Sequence, residues 1–199
     1  MRLASAYSLL GNTAEGANAS LRTLIEKLGA APDLLVVYAT ENHATDALIA
    51  SVRALAPGTP VLGSTSCGGV MTEAGFHAGP EGAMGMLGIK DPEGAYGVSS
   101  APMADDPFTA AAAAITQALV ASGRDFESPA IVWCCQPPGH EEAVLSGIQS
   151  VIGPHTPIIG GSSADENIAG NWREFSTEGV LTDHVVVAVL FPTLPHGAA

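Results

Sequence analysis

Two short stretches hold most of the side chains that could do chemistry. GSTSCGG at residues 63–69 offers hydroxyls and a thiol, and GGSSAD at residues 160–165 offers hydroxyls and a carboxylate. The candidate ligand-binding residues in them are Ser64, Thr65, Ser66, Cys67, Gly68, Gly160, Gly161, Ser162, Ser163 and Asp165. Glycines let a backbone approach a ligand, and hydroxyls orient it. The two stretches predict a pocket for a small polar molecule, with Asp165 accepting a hydrogen bond from an ammonium group.

Ordinary turn formation explains the same residues in another way. Glycine, serine and threonine are common in the turn that follows a strand, and Asp165 is equally suited to capping such a turn. The appearance of nearly the same letters twice favours binding, although a duplicated gene would also preserve them. The sequence leaves both interpretations open.

A hydrolase or transferase is the enzymatic alternative, using Cys67 or a serine of the two stretches. Neither stretch has the Gly-x-Ser-x-Gly pattern of a nucleophile elbow. Cys67 could act as a thiolate, with His43 or His140 as its base, because all three are expected at the C-terminal ends of strands. A partly buried, inert cysteine is the competing interpretation. We therefore include both histidines among the candidate site residues.

Metal and nucleotide sites have no support in the spacing of residues. The six histidines and three cysteines form no His-x-x-x-His or Cys-x-x-Cys pattern, so no metal site is predicted. No glycine-rich phosphate loop followed by a helix occurs either. The sequence predicts no cofactor from its motifs.

The two stretches belong to an internal repeat. Pro60 and Pro157, Gly63 and Gly160, and likewise His43 and His140, are each 97 positions apart. Repetition at a fixed offset indicates a duplicated structural unit. We therefore expect both stretches to occupy the same place in two similar units.

Each half reads as a strand, a helix and a second strand. In the first half, apolar residues 34–38 are typical of a strand buried on both faces, residues 44–55 have helical spacing, and a second apolar run includes residues 60–63. Residues 130–134, 144–152 and 157–159 repeat this order. A further helix precedes each unit, starting at Asn12 in one half and at Asp106-Pro107 in the other.

The sequence predicts an α/β fold that is internally duplicated. Two similar α/β halves would contain buried strands and flanking helices, with added antiparallel strands from the apolar runs 83–89 and 185–191 and from the turn at Glu178-Gly179. We place one domain over residues 1–199, with repeats of about 1–100 and 101–192, a connection at 101–107 and a C-terminal tail at 193–199. Short strands are expected to pair across a pseudo-twofold axis.

Composition limits the classes of function. Twenty acidic residues against seven basic ones give a formal net charge of −13, so a nucleic acid partner is not expected. The odd number of cysteines suits a reducing compartment. The N-terminus does not resemble a signal peptide, and no apolar run reaches the roughly 20 residues that span a bilayer. We predict a soluble, cytoplasmic protein without membrane insertion.

Residues 61–77, VLGSTSCGGVMTEAGFH, and residues 158–166, IIGGSSADE, resemble the motifs of the N-terminal FIST domain, a bacterial sensory module. The resemblance covers nearly the whole chain. The first motif of the family reads closer to Gly-Cys-Ser-Thr-Ala-Gly-Glu, and Ser64, Cys67 and Gly69 stand here in place of its Cys, Ala and Glu. The second motif agrees at Gly160, Gly161, Ser162 and Asp165.

The resemblance implies a role in signal transduction. It implies a small ligand such as an amino acid, and an output through a partner such as a histidine kinase or a cyclic-dinucleotide enzyme. A subgroup of the family implies a haem-binding sensor of nitric oxide as an alternative, with one of the histidines as axial ligand, of which His77 lies inside the first motif region. Family members commonly continue into a C-terminal FIST domain, so a stand-alone sensor and a truncated relative both stay open.

Overall fold

Each half of the chain forms a similar succession of strands and helices. The computed structural model describes residues 1–193. The first half contains β1 (Arg2–Ser8), α1 (Thr13–Leu28), β2 (Leu34–Ala39), a 3-10 turn (Glu41–His43), α2 (Asp46–Leu55), β3 (Val61–Thr65), β4 (Val70–Thr72), β5 (Gly75–His77) and β6 (Met84–Lys90). The second half contains β7 (Ala95–Pro102), α3 (Pro107–Ser122), β8 (Ile131–Gln136), α4 (Glu141–Ile152), β9 (Ile158–Ser162), β10 (Glu174–Ser176), β11 (Gly179–Leu181) and β12 (His184–Phe191).

The helices that precede the two units begin where the sequence predicts. The side chains of Asn12 and Asp106 accept hydrogen bonds from backbone N–H groups in the first turns of α1 and α3, and Pro107 is the first residue of α3. Both helices end at a glycine in the left-handed conformation, Gly29 with φ 76° and Gly123 with φ 71°. These local signals fix the lengths of both helices.

The strands form two sheets with the same internal order. The first sheet has the order β1-β6-β2-β3, followed by β10 and β11, and the second has the order β7-β12-β8-β9. In both, the strand before the second helix pairs in parallel with the strand after it. The predicted α/β fold class is confirmed, and the shared strand order agrees with an internal duplication.

The two sheets pack face to face, with the helices on the outside. One buried cluster joins α1 and α2 to the first sheet, a second joins α3 and α4 to the second sheet, and a third lies between the sheets. Contacts between the sheets run mainly from β3 and β10 to β7, β8 and β12. The result is a four-layer sandwich in which Ile89 on β6 packs between the sheets, whereas β1, at the edge of the first sheet, has few contacts with the second sheet.

The second half also contributes to the first sheet. β10 pairs antiparallel with β3 and with β11, so two short strands cross between the halves, whereas β4 and β5 pair with each other. Arg53 on α2 donates hydrogen bonds to the carbonyl oxygens of Thr177 and Glu178 in the β10–β11 turn. The halves are therefore connected by backbone and by side-chain hydrogen bonds.

The predicted repeat boundary near residue 100 falls inside β7. Because β7 occupies in its sheet the place that β1 occupies in the other, the topology groups β7 with the second half. Residues 101–107 thus run from the end of β7 into α3. Residues 194–199 of the predicted tail lie outside the described residues. No helix in residues 1–193 combines the length and the apolar character needed to cross a bilayer.

Close packing of neighbouring strands explains the repeated glycine. A Cβ added to Gly63 would lie 1.8 Å from the carbonyl oxygen of Val37, and one added to Gly160 would lie 1.9 Å from the carbonyl oxygen of Cys134. Val37 and Cys134 are themselves equivalent in the repeat. Both halves therefore need glycine at this position because the adjacent parallel strand leaves no space for a side chain.

Candidate functional site

The structure brings the two glycine-rich stretches together at one end of the sandwich. We call residues 66–69 the first motif loop and residues 163–166 the second motif loop. The Ala164 N–H donates a 3.0 Å hydrogen bond to the Thr65 carbonyl oxygen, and the Gly68 N–H donates a 3.0 Å bond to Glu166 Oε1. The loops follow β3 and β9, so residues that are nearly a hundred positions apart in the sequence lie side by side at this end of the sandwich.

The candidate residues in these stretches differ in accessibility. Ser64, Thr65, Ser163 and Asp165 are buried, and Ser66 is half-buried. The exposed ones are Cys67, Gly68, Gly160, Gly161 and Ser162. Thr65 Oγ1 accepts a 3.0 Å hydrogen bond from the Arg173 N–H, which ties the strand β3 to the segment before β10. The buried hydroxyls therefore hold the two motifs in place.

The carboxylate of Asp165 is used within its own loop. Its oxygens accept hydrogen bonds from the N–H groups of Ile168 at 2.6 Å and Asn171 at 2.8 Å. Burial opposes ionisation, but these backbone donors outweigh it and hold the pKa of Asp165 below its ordinary value. The charge of Asp165 therefore shapes the turn that follows β9, and its contact with an amine stays a prediction.

A cavity of about 330 Å³ lies beside both motif loops. Gly68 and Glu166 form one wall, and the segment around the 3-10 turn and residues 79–82 form the others. Its walls carry the carboxylates of Glu41, Glu81 and Glu166, and the Glu166 N–H donates a 3.3 Å hydrogen bond to Glu41 Oε2. None of the described residues that line it is a lysine or an arginine. We call it the carboxylate cavity.

A second cavity of about 380 Å³ opens between the two sheets, and we call it the inter-sheet cleft. Its lining includes Ser5, Val36, Tyr38, Ser66, Leu87 and Trp133. Tyr38 and Cys135 are 97 positions apart, and their side chains meet with Oη 3.6 Å from Sγ. Equivalent residues of the repeat thus contact each other close to the centre of the sandwich.

Glu174 is a buried carboxyl that the sequence does not reveal. Its side chain is fully buried, it accepts a hydrogen bond from the Ser163 hydroxyl, and the His184 N–H donates a 3.4 Å hydrogen bond to Oε2. Burial raises its pKa to about 7, which the bond from Ser163 opposes only in part. In the β3–β10 register, Glu174 lies opposite Ser64, so this acid touches both motifs.

The candidate histidines do not join the motif loops. His43 is fully buried; its Nδ1 lies 3.2 Å from Thr13 Oγ1, and burial lowers its pKa. His140 is exposed immediately before α4. Within residues 1–193, Cys67 has no hydrogen bond to either histidine. The geometry therefore shows no general base for a Cys67 thiolate.

The other enzymatic and cofactor candidates have partners of their own. Ser162 donates a 2.5 Å hydrogen bond to Glu141 Oε1, a bond that lowers the pKa of Glu141 and so makes this carboxylate a weak base. The ring of His77 stacks on Tyr7 with centroids 3.5 Å apart, and its Nε2 lies 2.8 Å from Thr72 Oγ1. The His77 ring therefore contacts both a tyrosine ring and a threonine hydroxyl.

Thiol reactivity provides a direct test of this arrangement. Burial raises the pKa of Cys134 to about 11 and of Cys135 to about 12, whereas Cys67 is exposed. We expect iodoacetamide at about pH 8 to modify one thiol per folded chain, none in Cys67→Ser, and all three in urea. Intact-mass spectrometry counts the adducts. Rapid labelling of a second thiol in the folded protein would contradict the burial of Cys134 beneath the helices and of Cys135 between the sheets.

Comparison with known proteins gives one family and several structural neighbours. The profile of the FIST N domain matches residues 33–199. Cyanuric acid hydrolase from A. caulinodans is similar in fold, with a TM-score of 0.56 and 12% identity over 98% of this chain and 67% of that chain. At this identity the similarity shows the fold alone. No curated protein matches the sequence.

Two further structures match with lower TM-scores. The priming β-ketosynthase of the R1128 polyketide pathway gives 0.39, with 14% identity over 92% of this chain and 83% of that chain. An FtsZ dimer from M. jannaschii gives 0.26, with 20% identity over 49% of this chain and 26% of that chain. Neither similarity bears on function.

Proposed function

Because the chain belongs to the FIST N domain family, whose members are sensory and signal-transduction domains, we propose that it is a ligand-binding sensory domain. Its ligand is a small polar molecule with an ammonium group, such as an amino acid, held in the carboxylate cavity. The observation that carries this proposal is the meeting of both motif loops, through Gly68 and Glu166, in the wall of that cavity.

The charges of the cavity favour a cationic group. Glu41, Glu81 and Glu166 line one small space, and each has an oxygen without a hydrogen-bond partner among the described residues. An ammonium group would donate charge-assisted hydrogen bonds to these free oxygens. The net charge of −13 further concentrates cations near the surface.

Binding at this point would act on both halves together. A ligand that contacts Glu166 and Glu41 contacts the second motif loop and the segment that follows β2. Because Gly68 already binds Glu166, a shift of that carboxylate changes the first motif loop as well. In our proposal, a partner in the cytoplasm, such as a histidine kinase or a cyclic-dinucleotide enzyme, responds to the altered loops.

A thermal-shift panel tests the ligand class. We expect stabilisation by one or more amino acids and by the corresponding amines, and none by matched keto acids, which lack the ammonium group. At about 100 times its dissociation constant, a ligand adds roughly 2.7 kcal/mol, or about 5 to 11 °C for a chain of this length. Haemin belongs in the panel, because a Soret band that titrates to one equivalent would support the haem alternative.

Neutral substitutions test the carboxylates. Glu41→Gln and Glu166→Gln keep an acceptor oxygen for the backbone bonds but remove the charge, so each should weaken binding roughly tenfold or more. Glu26→Gln on the exposed face of α1 is the matched control and should bind as the unchanged protein does. Equal stabilisation by an amine and its keto acid, or normal affinity in both cavity variants, would contradict the proposal.

A further inference from the structure

The inter-sheet cleft has a chemistry opposite to that of the carboxylate cavity. The residues that line its 380 Å³ include aliphatic and aromatic side chains and two glycines, and none of the lining residues is charged. Val36 and Leu87 form its floor on the inner face of the first sheet, and Trp133 reaches it from the second sheet. Open apolar cavities with a few polar groups are the usual form of small-molecule sites.

The cleft exists because the second sheet covers only part of the inner face of the first sheet. Most contacts between the sheets involve β3 and β10; on β6 the inter-sheet cluster covers Ile89, whereas β1 at the edge of the sheet is exposed at Leu3 and Tyr7. Ser5 and Leu87 on these strands line the cleft instead. The first motif loop and β4 close one side through Ser66, Gly69 and Val70. The space is therefore a built feature of the packing.

The hydroxyl group of Tyr38 indicates which kind of ligand the cleft would bind. Trp133 Nε1 donates a 3.1 Å hydrogen bond to Tyr38 Oη, so this oxygen is already an acceptor. The other partner of the hydroxyl is Cys135 Sγ at 3.6 Å, and sulfur is a weak acceptor. Burial raises the pKa of Tyr38, which keeps its proton in place at neutral pH. The hydroxyl can therefore redirect its proton from the weak sulfur acceptor to a stronger one, such as a carbonyl oxygen.

The rim of the cleft is apolar as well. Met71 lines the mouth and is 75% exposed, and its cross-strand partner Phe76 is 60% exposed. Ile159, which pairs with Trp133 in the second sheet, is also exposed. Exposed apolar side chains grouped around a cavity mark a binding site more often than scattered ones do.

We infer that the inter-sheet cleft is a second binding site, which takes a neutral, flat apolar molecule carrying a carbonyl oxygen that accepts the Tyr38 hydroxyl proton. Trp133 and Leu87 hold the rings, and no group in the lining neutralises an anion. This site differs from the carboxylate cavity in place and in ligand chemistry, so either assignment can fail without the other.

The neutral naphthyl ketone prodan is a suitable probe, because its emission shifts to the blue in an apolar site. We expect saturable binding of one molecule per chain. Tyr38→Phe should weaken binding roughly three- to tenfold, since it removes one hydrogen bond. Tyr7→Phe, which removes a hydroxyl outside the cleft, is the matched control and should leave the affinity unchanged. Naphthoate, the anionic counterpart, should bind at least tenfold more weakly.

Two further measurements locate the probe. Leu87→Trp fills the cleft and should abolish binding, provided that its circular dichroism matches that of the unchanged protein. In the Trp172→Phe variant, Trp133 is the remaining tryptophan, and contact with prodan should quench most of its emission by energy transfer. The Trp133 measurement does not depend on whether Leu87→Trp folds.

Several outcomes would overturn the inference. Prodan that fails to saturate, binds folded Leu87→Trp with normal affinity or leaves the Trp133 emission unchanged does not occupy the cleft. If prodan and naphthoate bind with equal affinity, the site does not select a neutral ligand. If Tyr38→Phe binds prodan as tightly as the unchanged protein does, the Tyr38 hydroxyl does not donate to a carbonyl oxygen of the ligand.

Discussion

Replacing Gly63 or Gly160 with alanine should destabilise the protein by about 3 kcal/mol or more, which corresponds to roughly 6 to 12 °C in melting temperature. The added Cβ would lie less than 2 Å from a carbonyl oxygen of the adjacent parallel strand. That oxygen belongs to backbone inside a sheet, so it cannot move aside as a side-chain terminus can. Gly160 also has φ 129°, a conformation that alanine rarely adopts.

Gly161→Ala is the control for this prediction, because it stands next to Gly160 in β9. Nothing lies within 4 Å of a Cβ built at Gly161, so we expect a change of less than about 1 kcal/mol in either direction. Thermal and urea unfolding of the three variants give the comparison. Similar stabilities for Gly160→Ala and Gly161→Ala would show that the strands separate easily at this point.

Glu174→Gln should make the protein more stable in mild alkali and have little effect in acid. In the folded chain the pKa of Glu174 is about 7, above its ordinary value of 4.5, so folding favours the protonated acid. The stabilising contribution of that proton is complete below about pH 4.5 and is lost as the pH rises to 7 and beyond. The loss amounts to about 3 kcal/mol, and a neutral amide avoids it.

Urea unfolding at pH 5 and at pH 8 measures this effect. The stability of Glu174→Gln relative to the unchanged protein should increase by about 2 to 3 kcal/mol between the two values, because the carboxyl must ionise where burial opposes its charge. Glu26→Gln, an exposed change of the same kind, should show no such increase. A pH-independent difference for Glu174→Gln would mean that water reaches the carboxyl.

The elements that the sequence predicts well are those with local causes. The apolar runs at residues 34–38 and 130–134 correspond to β2 and β8, which are buried on both faces of their sheets. Asn12 and Asp106 cap α1 and α3 because a side-chain oxygen two or three positions from free N–H groups needs no distant partner. The offset of 97 positions also predicts the equivalence of the halves, since strand order follows the repeat.

The parts that the sequence misses depend on distant neighbours. Glu41 and Glu166 are 125 positions apart, and no local sequence pattern predicts that they line one cavity. Glu174 sits in a short polar stretch that is typical of an exposed strand, and it is buried only because β10 crosses to β3. For Asp165 the sequence left both a ligand and a turn open, and its oxygens meet backbone donors of the turn.

The crossing of β10 and β11 into the first sheet limits how a bound ligand can change the protein. A hinge motion that separates the two halves would break the β3–β10 pairing and the hydrogen bonds from Arg53 to the β10–β11 turn. It would also expose the apolar layer between the sheets. A hinge between the halves is therefore too costly to serve as a switch. In our proposal, the bound state is therefore conveyed by small displacements of loops on an otherwise rigid body, and the partner recognises a surface beside the ligand.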